Sequence, residues 1–101
     1  MNTENIIAQA RARFDHEAAK RVLKEKYQAK LTFAHNGGLW LAGPELLATL
    51  AACVGPTSVL LDLYDTPVRV VPNEFRDLVR SHWQEQMTAW LVEFEEQTKN
   101  R

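Results

Sequence analysis

Apolar positions near the start of the chain recur at helical spacing. Ile7, Ala10, Phe14, Ala18 and Val22 are separated by three, four, four and four residues, which places them on one face of an α-helix. The stripe then drifts to Leu23 and Tyr27. Strong helix formers fill the positions between, among them Gln9, Arg11, Glu17, Lys20 and Glu25. The pattern predicts a helix from an N-cap at Thr3, with Glu4 just inside, to about Tyr27.

The period then changes. Lys30 to Leu41 reads as a hairpin, because Asn36-Gly37 is flanked by apolar and aromatic residues and both tolerate the positive φ of a type I′ turn. That turn pairs Phe33 with Trp40, Thr32 with Leu41 and Ala34 with Leu39. Gly43-Pro44-Glu45 opens a short helix, with proline at the first helical position. Leu46, Leu47, Leu50, Cys53 and Val54 surround it, which predicts a helix buried on all sides and closed by Gly55-Pro56.

Ser58 to Val71 reads as a second hairpin. With Asp65-Thr66 as its turn, Leu63 faces Val68, Leu61 faces Val70, and Asp62 pairs with Arg69 across the strands; Asp-Thr is not the usual glycine-containing turn, so a longer loop stays open. A last helix follows from Pro72-Asn73, with Asn73 as N-cap and Lys99 and Arg101 at its negative end. Its apolar stripe is Phe75, Val79, Trp83, Met87, Trp90 and Phe94, widened by Leu78 and Leu91. All four glycines and all four prolines lie between Gly37 and Pro72, so the breakers are confined to the centre of the chain.

These elements predict an α+β fold, α–ββ–α–ββ–α, in a single domain over residues 1–101. The two hairpins are expected to form one small antiparallel sheet, since an isolated hairpin is marginal in water. The short helix and one or both of the long flanking helices are expected to cover one face of it. The predicted core is Leu31, Phe33, Trp40, Leu46, Leu47, Leu50, Val59, Leu61, Leu63, Val68, Val70, Leu78 and Val79.

Composition narrows the class. With 46% apolar and 25% charged residues, the chain is neither disordered nor of low complexity. Cys53 is the one cysteine, which leaves no intramolecular disulfide and no cysteine-based metal knuckle. No apolar run approaches the ~20 residues of a membrane span, and the first residues lack an export signal, so a cytoplasmic protein is expected.

Charge is nearly balanced at −1 but uneven along the chain. Residues 1–30 carry seven Lys or Arg against four Asp or Glu, and the remainder carries five against nine. A basic first helix raises an alternative role in nucleic-acid regulation through Arg11, Arg13, Lys20, Arg21, Lys24 and Lys26. Those cations scatter around the helix with Asp15, Glu17 and Glu25 among them, so weak duplex binding at most is expected.

Catalytic chemistry has little to work with. His16, His35 and His82 stand apart from one another and from Cys53, and no metal-ligand spacing occurs. Gly37-Gly38 precedes a strand rather than a helix, so it reads as a hairpin turn and not as a phosphate loop. Asp62 and Asp65 read as structural. No catalytic residue, cofactor or metal is therefore expected.

Leu31-Thr32-Phe33-Ala34-His35-Asn36-Gly37-Gly38 with Pro44-Glu45-Leu46-Leu47, Leu61-Asp62-Leu63-Tyr64-Asp65-Thr66-Pro67-Val68-Arg69-Val70 and the Trp-rich last helix carry a resemblance. Residues 30–100 resemble small uncharacterised proteins of contractile-tailed bacteriophages of marine cyanobacteria. That family has no established activity, so the resemblance implies a context, the host cytoplasm, and no mechanism.

The reading expected from all of this is a small non-enzymatic interaction or accessory protein. The last helix is too long for a compact body of this size, and its far half stays apolar. Trp83, Met87, Trp90, Leu91 and Phe94 are therefore the expected self-association residues of a homodimer. The competing arrangement buries the same stripe against the first helix of the same chain.

Overall fold

A computed structural model describes residues 3–99. Seven elements follow one another: α1 (Thr3–Leu31), β1 (Thr32–His35), β2 (Gly38–Leu41), α2 (Pro44–Ala51), β3 (Ser58–Leu61), β4 (Pro67–Val70) and α3 (Pro72–Lys99). The α+β class and the order α–ββ–α–ββ–α are as expected. The cap formed by Thr3 and Glu4, and the charge of Arg101, lie outside the described side chains.

The first hairpin has the expected register: Thr32 pairs with Leu41, Phe33 with Trp40, Ala34 with Leu39 and His35 with Gly38. Asn36 at φ 52° and Gly37 at φ 81° make the turn. A β-branched residue at Gly37 would be forced into the left-handed region. Gly37→Val should therefore destabilise by about 1 kcal/mol or more, measured as a lower midpoint of urea unfolding. An unchanged midpoint would contradict the turn.

The second hairpin departs from the expected register. Ser58 pairs with Val70, Val59 with Arg69, Leu60 with Val68 and Leu61 with Pro67. The strand stops at Leu61 because the Asp62 carboxylate takes over the backbone donors beyond it. Its Oδ1 accepts from the N–H of Tyr64 and of Thr66, and Asp65 adopts φ 60° within the longer loop. The shift is odd in residue number, so it exchanges the two faces of β3. Val59, Leu61 and Leu63, expected in the core, are exposed, and Leu60 turns inward. Arg69 does not pair with Asp62; its guanidinium donates to Thr57 Oγ1.

The hairpins form two separate two-stranded sheets rather than one. Asp62 clasps them together. Its Oδ2 accepts from the N–H of Leu39, and Leu63 N–H donates to the Leu39 carbonyl. This clasp gives each marginal hairpin a neighbour without a continuous ladder.

Three boundaries differ from expectation. α1 continues to Leu31, four residues past Tyr27. α2 ends at Ala51 with Ala52 as its C-cap, before Gly55-Pro56, and Leu50 is its one fully buried residue rather than one of many. α3 begins at Pro72, so Asn73 lies inside the helix, where its Oδ1 accepts from Arg76.

Leu31, Trp40, Ala42, Leu50, Val68, Val70, Phe75 and Val79 form the core, with Phe33, Leu46, Leu47, Leu60 and Trp83 packed against it. Leu78 faces solvent more than expected. Phe75, expected in the helix stripe but not in the core, stands at the centre of the core. It meets Trp40 edge-on at 5.0 Å and Phe33 at 6.0 Å, and it stacks on His35 at 4.5 Å.

Candidate functional site

α1 and α3 run antiparallel beyond this core. Near the core, His82 Nε2 lies 2.7 Å from the Lys30 carbonyl. One step outward, Tyr27 stacks on Trp90 with ring centroids 5.7 Å apart. Glu93 comes next, accepting from Tyr27 Oη and forming an ion pair with Lys26. The hydrogen bond to Glu93 pushes the Tyr27 phenol up to about 12. Lys26, then Tyr27, hold the Glu93 carboxyl below its usual range. The ion pair is partly exposed and contributes little by itself. The buried Tyr27 ring and Leu23 carry the helix contact.

The pair is staggered. Each helix is about 42 Å long at 1.5 Å per residue. The molecule measures 67 × 25 × 21 Å, and its radius of gyration is 19.4 Å, against ~13 Å for a compact body of this length. The first turns of α1 therefore run past the end of α3, and the core sits at the opposite end.

This stagger decides what becomes of the expected self-association residues. Trp83 packs against the core and Trp90 against Tyr27, both within the chain. Met87, Leu91 and Phe94 remain exposed. The cover for α3 comes from Leu23 and Tyr27, not from the more N-terminal stripe of α1. That stripe points away from α3, so Ile7, Phe14 and Val22 are exposed, Phe14 to 70%. No signal within α1 alone separates its two apolar faces, because the choice is made by the position of α3.

The cations of α1 are divided. Arg11, Arg13, Lys20, Arg21 and Lys24 are exposed, and Lys26 is held by Glu93. Glu17, Lys20, Arg21 and Lys24 rim a groove of about 480 Å³ whose floor is Leu23, Trp90 and Phe94.

Of the other reactive side chains, His16 buries its Nδ1 without a hydrogen-bond partner among the described residues, whereas Cys53 has a structural one. Cys53 Sγ lies 3.3 Å from the Thr49 carbonyl, and the Trp40 indole donates to the His35 carbonyl. Among the described residues, no three of His, Cys, Asp or Glu converge where they could hold a metal ion, and no helix is long and apolar enough to cross a membrane. No protein-family model matches the chain, and neither a curated protein nor a solved structure matches it.

Proposed function

We propose that the chain is a small non-enzymatic interaction or accessory protein that works as a homodimer, associated through its long helices. One observation carries the reading. After α1 and α3 have paired, both still expose large apolar side chains: Ile6, Ile7, Phe14 and Val22 on α1, and Met87, Leu91 and Phe94 on α3. Soluble monomers rarely leave such extended apolar surface to water. A second copy can cover it with the same residue types, and two-fold dimers are the commonest assembly. The resemblance of residues 30–100 to small phage proteins supports the host cytoplasm as the compartment of this reading.

Light scattering at high micromolar concentration tests it. The expected mass is twice the 11.6 kDa of the chain. A mass of one chain at that concentration overturns the proposal.

A further inference from the structure

The two seams of the α1–α3 pair differ. At ~100° per residue, Lys26 projects about 100° to one side of Tyr27, whereas Lys24 and Arg21 project about 60° and about 120° to the other. Glu93 and Phe94 likewise fall on opposite sides of Trp90. On the first side a cation of α1 meets a carboxylate of α3, and the Lys26–Glu93 ion pair closes the seam beside the Tyr27–Trp90 stack. On the second side Lys20, Arg21 and Lys24 line the α1 bank of the groove, and α3 offers them Trp90 and Phe94 in place of a carboxylate. Glu17 is the one acid in that lining, and among the described residues none of the three cations is in an ion pair.

A second hollow, of about 520 Å³, shares Glu17 with the groove and continues it along α1 past Phe14 and Arg13 to Ile6. Ile6 to Lys24 spans ~27 Å at 1.5 Å per residue, a length suited to a helix of several turns rather than to a small anion. Nucleic acid fits less well. Trp90 already has one ring face on Tyr27, the floor beside it is the aliphatic Leu23, and exposed Glu95 and Glu96 follow Phe94 on α3. Bases therefore find few free ring faces, and phosphates meet like charge.

Resting on the interaction reading above, though not on the dimer, we infer that the groove between Lys24 and Phe94 takes an acidic amphipathic helix of a partner protein. Apolar side chains of that helix enter over Leu23, Trp90 and Phe94. Carboxylates along one of its borders pair with Lys20, Arg21 and Lys24, as Glu93 pairs with Lys26 across the other seam. Ile7 and Val22 stay outside the groove and remain open to a second copy of the chain.

A synthetic helix supplies the probe: about 18 residues, with leucine at every third or fourth position, glutamate along one border and a fluorophore at one end. Fluorescence anisotropy should show saturable binding to the wild-type chain that weakens as salt rises. The same peptide with lysine in place of glutamate should bind about tenfold more weakly or worse. Lys24→Glu should raise the dissociation constant for the glutamate peptide about fivefold or more and narrow the gap between the two peptides. Arg11→Glu makes the same change in net charge outside the groove, so its constant should stay within about twofold of wild type. Equal binding of the two peptides by the wild-type chain, no binding of the glutamate peptide at high micromolar concentration, or equal losses from Lys24→Glu and Arg11→Glu overturns the inference. So does tighter binding of single-stranded oligothymidylate or of phosphatidylserine vesicles than of the glutamate peptide. Light scattering of the same samples keeps the two readings apart. A dimer that ignores the peptide overturns this inference alone, and a monomer that binds it overturns the dimer alone.

Discussion

Phe75→Ala should be the most destabilising single truncation in the chain, with a loss of about 3–5 kcal/mol. Phe75 is 1% exposed and touches Phe33, His35 and Trp40 from α3. It thereby joins the first hairpin to the last helix. Its removal deletes buried apolar area and leaves a cavity that the paired strands cannot close, because Trp40 is itself held by its indole bond to His35. Small domains are stable by only about 5–15 kcal/mol, so the variant loses a large share of its stability. Its melting temperature should fall by about 12 °C or more. Urea unfolding measures the same quantity, with a lower midpoint and an unchanged slope. Leu78→Ala, one turn further along and exposed, should cost far less. Equal losses for the two variants would contradict the central place of Phe75.

The difference between these two residues shows which part of the fold was legible in the sequence. The breaker-free flanks, the proline-started helix and the Asn36-Gly37 turn are local signals, and each element forms where its own residues direct it. Leu78 and Phe75 both fit the apolar stripe of α3. Only the arrival of β1 and β2 on one side separates them. The same holds for α1. Ile7, Phe14 and Val22 have helical spacing as good as that of Leu23 and Tyr27, yet burial follows the aromatic partner Trp90. The second hairpin takes its register for a longer-range reason. An alternating apolar strand fits two registers, and the choice fell to a carboxylate whose decisive donor, Leu39, lies 23 residues away. The candidate site was legible in part. The apolar residues of α3 were visible as an excess, whereas the exposed apolar face of α1 becomes distinct only when α3 occupies the other side.

That carboxylate gives the second large effect. Asp62 is buried and accepts from the backbone N–H of Leu39 at 3.0 Å, Thr66 at 3.0 Å and Tyr64 at 2.9 Å. Asp62→Ala would strip all three donors of their acceptor and cut the clasp between the hairpins, which places it beside Phe75→Ala in consequence. Asp62→Asn separates charge from shape. It keeps one acceptor oxygen but turns an NH₂ group toward backbone donors, so it too should be less stable than wild type at neutral pH. The donors, Leu39 first and then Thr66, hold the Asp62 carboxyl below its ordinary value in the folded chain. In the unfolded chain it titrates near 3.9. The stabilisation it supplies is therefore complete above about pH 4 and disappears as pH falls through the lower folded value. Wild-type stability should drop across that acid range, and Asp62→Asn should follow a flatter curve, so that the gap between them narrows on acidification. Glu93, also depressed, contributes a drop of the same sign. Both chains should therefore be measured in a Glu93→Gln background, where the remaining difference belongs to Asp62. Faster amide exchange at Leu39, Tyr64 and Thr66 in Asp62→Asn would place the loss at the clasp. Two parallel stability curves between pH 7 and pH 2 would show that the carboxylate does not hold the hairpins together.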